Sequence, residues 1–250
     1  MNKIIQKTFS KLQLNSAFQM RDLFLFLILI FLVSNLSAQS SSEINRKDEQ
    51  GRKQGVWKKK NVYGALIYEG AFLDDKPFGE FKYYYNDRGL KAVSRFQNDG
   101  TISYTFFYHP NGKMMARGKF INEKKDSVWN YYRESDELLV SKENYFDGKI
   151  HGESISYYPN GDVAEIINYD KGVKQGVWQK YFQDGDIQLE GNYSNDDIEG
   201  KFDIYYPGKI LKTSGEYKKS LKHSEWKYYS ILEELEKVEI YEDGKLVETK

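Results

Sequence analysis

The chain has 250 residues, with 37 basic and 37 acidic side chains, 21 tyrosines, 20 glycines and no cysteine. The charge balance argues against a nucleic-acid partner, which normally needs a basic surface. The absence of cysteine excludes disulfides, thiol nucleophiles and an acylated cysteine. Tyrosine and glycine in these proportions favour a protein of strands and turns.

The first predicted element is the apolar run LFLFLILIFLV at residues 23–33. Basic residues precede it, and a small, polar stretch ending near Ala38 follows it, which is the layout of a secretory signal peptide. A transmembrane helix needs about 20 apolar residues, so an uncleaved membrane anchor is the weaker alternative. We therefore expect residues 1–38 to be a preamble and signal peptide, with translation starting at Met1 or Met20. The mature protein is expected in the periplasm, at the cell surface or outside the cell.

After a predicted linker at residues 39–51, a periodic region occupies residues 52–247. The pentapeptide KQGVW occurs at 53–57 and again at 174–178, which indicates an internal repeat. Aromatic residues recur at intervals of 23 to 25 in three columns, and these columns predict eight repeats.

The first column is Trp57, Phe81, Tyr104, Trp129, Ser154, Trp178, Phe202 and Trp226. The second column is Lys60, Tyr84, Phe107, Tyr132, Tyr157, Tyr181, Tyr205 and Tyr229. The third column is Phe72, Phe96, Phe120, Tyr145, Tyr169, Tyr193, Tyr217 and Tyr241.

Each unit has the pattern of a β-hairpin, which is clearest in the sixth repeat. There, GVWQKYF at 176–182 is an aromatic-rich strand, Asp184-Gly185 is a turn, and IQLEGNY at 187–193 alternates with period two. A single hairpin is marginal in water, so the units must stack. The predicted fold is all-β: an elongated, twisted antiparallel sheet, or β-solenoid-like array, of about eight stacked hairpins.

The repeat unit resembles the MORN repeat (membrane occupation and recognition nexus), and more closely its bacterial variant. The matching residues in the sixth repeat are Gly176, Trp178, Tyr181, Gly185, Ile187, Leu189, Glu190, Gly191 and Tyr193. The resemblance implies stacked hairpins. It also implies a scaffold, a lipid-binding surface, or a role like that of the bacterial proteins labelled YwqK-type antitoxins.

No constellation for catalysis, metal binding or cofactor binding is evident, so a non-enzymatic protein without cofactors is predicted. His151 and His223 occupy equivalent positions three repeats apart, too far to share a metal ion. His109 precedes a Pro-Asn-Gly turn and is interpreted as an exposed turn residue.

Glutamates also recur in the repeat. A pair of them could act as the acid and base of a glycosidase, but a solvent-facing lattice opposite Lys and Arg is the favoured interpretation. The glutamates concerned are Glu69, Glu143, Glu165, Glu190, Glu216 and Glu239.

The candidate binding surface is the run of tyrosines in the second column, which either recognise a partner or pack on one another as the only core available. These are Tyr84, Tyr132, Tyr157, Tyr181, Tyr205 and Tyr229. The favoured function is an exported scaffold for protein–protein interaction in the cell envelope, with an unidentified protein partner. The alternatives are an antitoxin-like neutralising protein and a protein that binds envelope glycan or a membrane surface through the aromatic columns.

Overall fold

The computed structural model describes residues 43–250, and the sheet forms one compact unit, Asn45–Lys250. Its strands, numbered in chain order, are β1 Arg46–Lys47, β2 Lys53–Lys60, β3 Leu66–Leu73, β4 Lys76–Tyr84, β5 Leu90–Gln97, β6 Ile102–Tyr108, β7 Met114–Ile121, β8 Lys124–Tyr132, β9 Leu139–Phe146, β10 Lys149–Tyr157, β11 Val163–Asp170, β12 Val173–Tyr181, β13 Ile187–Ser194, β14 Asp197–Ile198, β15 Gly200–Tyr206, β16 Ile210–Lys218, β17 Leu221–Tyr229, β18 Leu235–Glu242 and β19 Lys245–Thr249.

Every strand except β14 pairs antiparallel with the strand that follows it, and β13 pairs with both β14 and β15. The result is a single open meander in which consecutive strands form the predicted hairpins. Within residues 43–250 the only helical element is a short 3₁₀ turn at Asn98–Gly100. The prediction of an all-β sheet of stacked hairpins is confirmed. The described part of the chain contains no helix long and apolar enough to cross a membrane.

Two backbone features recur where one repeat joins the next. The first is a tight turn of two residues with positive φ, as at Asp74 (51°) and Asp75 (64°), a conformation that matches the right-handed twist of a hairpin. The second is a bulge in the following strand, centred on a residue with positive φ such as Gly79 (68°). The bulge lies two residues before the aromatic residue of the first column, so it sets the face to which that ring points.

The third repeat departs from this plan, and here the sequence prediction was wrong by one residue. Its turn contains one extra residue with positive φ, because Asn98, Asp99 and Gly100 all adopt that conformation. Four residues separate the paired Gln97 and Ile102, whereas two separate Leu73 and Lys76 in the preceding turn. The β5–β6 pairing has no bulge, so the two extra turn residues are offset by the two residues that the bulge adds elsewhere. Thr105 therefore occupies the first-column position, opposite Ser94, whereas Tyr104 points to the other face and is 45% exposed. By the same shift, the second-column residue is Tyr108 rather than Phe107.

The core lies on one side of the sheet, which we call the ladder face: the side that carries the first and third columns. Phe81, Trp129 and Trp226 are 2%, 1% and 2% exposed there. Glycines opposite the first column give the rings room. A Cβ on Gly118 would lie 2.3 Å from the Trp129 ring, and one on Gly215 would lie 2.3 Å from that of Trp226. In a single layer of strands, these rings provide the core by packing over backbone and over one another.

Candidate functional site

The predicted tyrosines of the second column lie on the side opposite the ladder face, which we call the column face. Residues of the second column directly follow ladder-face residues, and neighbouring residues in a strand point to opposite faces. All six predicted tyrosines are half-buried, so the structure places them on one face at repeat spacing. Four of them, Tyr84, Tyr132, Tyr157 and Tyr205, contact a side chain of the preceding repeat.

The partner of the tyrosine ring changes along the column face. Near the ends of the sheet the partner is acidic: the hydroxyl of Tyr84 donates to Glu69 at 2.6 Å, and that of Tyr205 donates to Glu190 at 3.2 Å. Burial and the bond to Glu69 raise the pKa of Tyr84 to about 12. These bonds explain why the hydroxyls are held against the sheet.

In the middle of the sheet the partner is basic. The Arg117 guanidinium lies 5.7 Å from the centre of the Tyr132 ring, and the Lys142 ammonium lies 5.6 Å from that of Tyr157. Such geometry is that of a cation–π contact. Within the described residues, neither Arg117 nor Lys142 makes an ion pair with a carboxylate.

Further tyrosines fasten neighbouring repeats together. The hydroxyl of Tyr85 donates to the backbone carbonyl of Tyr108 at 2.7 Å, and that of Tyr158 donates to the carbonyl of Tyr181 at 2.7 Å. In each case the acceptor belongs to the next repeat. Part of the tyrosine content is therefore structural rather than available for binding.

The aromatic ladder consists of three clusters rather than one continuous stack. Ring centroids within a cluster lie 4.8 to 6.5 Å apart. The ladder has no ring at the two first-column positions occupied by Thr105 and Ser154. The first cluster includes Trp57, Phe72, Phe81 and Phe96, the second Phe107, Phe120, Trp129 and Tyr145, and the third Trp178, Tyr193, Phe202, Tyr217 and Trp226.

A lysine precedes every tryptophan of the ladder face by four residues. The spacing is visible in the sequence, but the sequence prediction did not include it. The pairs are Lys53 and Trp57, Lys125 and Trp129, Lys174 and Trp178, and Lys222 and Trp226. In three of these pairs the ammonium lies over the indole itself, at 5.3 Å in repeat one, 4.6 Å in repeat four and 4.4 Å in repeat eight. In repeat six it lies over the Tyr193 ring at 4.8 Å. The repeated pentapeptide KQGVW therefore contains the lysine and the tryptophan of such a pair on the ladder face.

In repeat four the lysine is enclosed by three rings. The Nζ atom of Lys125 lies 4.6 Å from the Trp129 ring, 5.1 Å from the Tyr131 ring and 4.7 Å from the Tyr145 ring. Burial lowers the pKa of Lys125, while the nearby Glu143 opposes that shift. Burial, with the hydrogen bond to Glu143, raises the pKa of Tyr145 to about 12. The arrangement is an aromatic cage that contains its own ammonium group.

Repeat eight contains an equivalent cage. The Nζ atom of Lys222 lies 4.4 Å from the Trp226 ring and 4.7 Å from the Tyr241 ring. Glu239 accepts hydrogen bonds from Lys237 at 2.8 Å and from Tyr228 at 2.5 Å. These bonds, that from Lys237 foremost, lower the pKa of Glu239 to about 2.

The recurring glutamates do not form one solvent-facing lattice, so that prediction was wrong. Glu69 and Glu190 lie on the column face, but Glu143 and Glu239 lie on the ladder face, where the side chain of Glu239 is only 13% exposed. Glu165 accepts the indole N–H of Trp178 at 2.8 Å. Several of these carboxylates therefore accept hydrogen bonds from side chains of the ladder face and do not pair with surface lysines alone.

The histidines lie apart from one another. The prediction that His109 is exposed was wrong, because its side chain is 17% exposed and its buried Nε2 atom has no hydrogen-bond partner among residues 43–250. It does begin a turn, since its carbonyl accepts the N–H of Gly112. His151 pairs with Asp170 at 3.2 Å. Among residues 43–250, no group of three or more potential metal ligands is present.

The predicted signal peptide and the start of the predicted linker lie outside the described residues. The sheet itself begins with β1, Arg46–Lys47, which pairs with β2.

The fold and its columns define a protein built of stacked β-hairpin repeats. The family model described as the MORN repeat variant matches residues 150–171 and 174–195, which are two adjacent repeats, the fifth and the sixth. The chain therefore carries MORN-variant repeats, as the sequence predicted. The other hairpins share the antiparallel pairing of these two and, apart from the shifted register of repeat three, their columns.

A search of curated proteins gave no match. One solved structure that is similar is a chain of the TcdB2-TccC3-Cdc42 crystal structure, with 9% identity and a TM-score of 0.18 over 74% of this chain and 14% of that chain. This chain thus spans a small part of that chain's length, and a likeness of this size carries no argument about fold or function.

Proposed function

We propose that the protein is an exported, non-enzymatic repeat protein that acts as a scaffold for protein–protein interaction in the cell envelope. The observation that supports this function is the set of side chains in the middle of the column face. Half-buried tyrosines alternate there with Arg117 and Lys142, which have no carboxylate partner among the described residues. Aromatic and arginine side chains are the residue types that supply most of the binding energy in protein interfaces.

The charge of this surface specifies the kind of partner. The exposed Arg117, together with Lys142 and the 45% exposed Tyr104, forms a basic and aromatic patch across repeats three to five. A protein segment with carboxylates next to apolar side chains would complement it in both charge and polarity. Export is supported by the layout of residues 1–38.

The experiment compares capture by the mature protein from an envelope fraction with its sedimentation on liposomes and on peptidoglycan. We expect a protein partner, and we expect the double variant R117E/K142E to bind that partner at least about tenfold more weakly, because charge complementarity is reversed. The matched control is Lys218→Glu, an exposed lysine of the same face in repeat seven. Binding to liposomes or peptidoglycan without any protein partner, or equal binding by the double variant and wild type, would contradict the proposal.

A further inference from the structure

A cleft of about 720 Å³ opens on the ladder face at repeats two and three, where the aromatic ladder is interrupted. Its floor is buried and includes Ser94 and Thr105, which are 5% and 3% exposed. The hydroxyls of Ser94 and Thr105 are hydrogen-bonded to each other at 2.8 Å. The cleft exists because Thr105 is much smaller than the indole or phenyl ring that fills this position in six other repeats.

The walls of the cleft repeat the geometry of the lysine cages. Phe81 lies 6.3 Å from Tyr83 and 5.0 Å from Phe96, and these three residues occupy the positions that Trp129, Tyr131 and Tyr145 occupy around Lys125. The two half-buried rings Phe107 and Phe120 complete the cleft on the side of repeat three.

The cation that fills the other cages is missing from these two repeats. The lysine of repeat four, Lys125, pairs with the third column at Phe120. The residue so paired is Pro77 in repeat two and, because repeat three has no bulge, Ser103 in repeat three, and both line the cleft. Repeats five and seven also lack the lysine, but the large aliphatic residues Ile150 and Ile198 occupy its position. Repeats two and three thus combine aromatic walls with a position that holds neither a cation nor a bulky side chain.

Carboxylates lie at the rim of this cleft. Asp75 and Glu123, from the turns on either side, both line it. Glu123 is exposed and, among the described residues, has no ion-pair partner. Lys91 also lines the cleft, with its ammonium 5.8 Å from the centre of the Tyr85 ring. Rings that attract a cation through their faces and carboxylates that attract it through their charge act in the same direction.

We infer that this cleft binds a small organic ammonium ion, of the alkylammonium or quaternary ammonium class, in the place that a lysine occupies in repeats one, four, six and eight. The chain itself supplies the precedent for the ligand: the Lys222 ammonium lies 4.4 and 5.5 Å from the equivalent rings Trp226 and Tyr228 in repeat eight. The inference is independent of the partner surface, which lies on the other face of the sheet.

The test is a titration of the mature protein, followed by NMR, with choline, with n-butylammonium and with the neutral tert-butyl isostere of choline. We expect saturable binding of a cationic probe and at least about tenfold weaker binding of the isostere, which has the same shape without the charge. A further titration with vesicles of phosphatidylcholine distinguishes binding of a lipid headgroup from binding of a free cation. Equal binding of choline and its isostere, or no binding of either cation, would overturn the inference.

Two variants locate the site. Pro77→Lys supplies the lysine that the other cages contain and should abolish choline binding. Glu123→Gln, which alters only an exposed turn, should weaken choline binding severalfold, whereas Asp196→Asn, at the equivalent turn position after repeat six, should leave it unchanged. If both Pro77→Lys and Glu123→Gln bind choline as wild type does, the ligand lies elsewhere and the inference fails.

Discussion

Repeats three and four are neighbours in the sheet, yet the ladder is filled in one and open in the other. Trp129 in repeat four is 1% exposed and lies over Gly118, whereas Thr105 in repeat three holds a hydrogen bond to Ser94 at the bottom of a cleft. Their backbones differ as well, because repeat three has a turn that is two residues longer and no bulge.

The comparison separates two properties of the repeat. The turn and the bulge together determine to which face of the sheet each side chain points. A change in the length of one can be offset by a change in the other. The side chain at the ladder position then determines whether the space above the sheet is packed or open. Repeats with the same strand pairing can therefore serve either stability or binding.

The largest effect on stability is expected when the indole that fills the ladder position of repeat four is removed. Trp129→Ala should lower the free energy of unfolding by about 3–5 kcal/mol, because a fully buried indole leaves a cavity. Thr105→Ala should cost only about 1 kcal/mol, since it removes one hydrogen bond. Urea denaturation of both variants measures the difference, and similar losses would mean that the two positions are packed alike.

A smaller effect is expected at the glycine under the ring. Gly118→Ala should destabilise the protein by about 1–3 kcal/mol, because the added methyl group overlaps the Trp129 ring and forces it to move. At the equivalent position of repeat two, Ser94→Ala adds no atoms and loses only the bond to Thr105. A Gly118→Ala variant as stable as wild type would contradict the close approach of ring and backbone.

The hydroxyl that joins repeats two and three should contribute less. Tyr85→Phe removes the bond to the carbonyl of Tyr108 and should cost about 1 kcal/mol. Tyr104→Phe is the matched control, because this tyrosine is 45% exposed. The measurement is again the midpoint of urea denaturation, and equal midpoints for Tyr85→Phe and Tyr104→Phe would argue against the bond.

The last prediction concerns how the stability contributed by the repeat-eight cage depends on pH in the acidic range. The folded-state pKa of Glu239, about 2, is below its ordinary value of 4.5. Its ionised form therefore adds stability above about pH 4.5, and that stability is lost as the pH falls towards 2. The difference in unfolding free energy between wild type and Glu239→Gln should shrink over this range. A difference that is constant from pH 6 to about pH 2 would exclude the assigned bonds.

Much of the fold could be predicted from the sequence because hairpin chemistry is local. Strand lengths, turns and the third column follow from glycine, aspartate and aromatic spacing, as in Asp184-Gly185 of repeat six. The register of repeat three could not be predicted in this way. Ser103 stands where bulges elsewhere contain glycine or a serine such as Ser127 with φ 58°, so residue type alone does not reveal that its bulge is absent.

The candidate site was predicted only in outline. The tyrosines of the second column were found from their spacing, but their different partners, Glu69 at one end and Arg117 in the middle, depend on contacts between repeats. Those contacts depend on the exact register between the last strand of one repeat and the first strand of the next, which the spacing of residue types does not give. The cleft escaped the prediction because Tyr104 was assigned to the position that Thr105 occupies.

The most direct test of the account is a cross-link that reports the register of repeat three. The chain has no cysteine, so S94C/T105C and S94C/Y104C introduce the only thiols. Ser94 and Thr105 are paired, with hydroxyl oxygens 2.8 Å apart, which suits a disulfide, whereas Tyr104 points to the other face. Mass spectrometry after mild oxidation should find an intramolecular disulfide in S94C/T105C and free thiols in S94C/Y104C. The reverse result would place a tyrosine in the ladder, close the cleft and contradict the account.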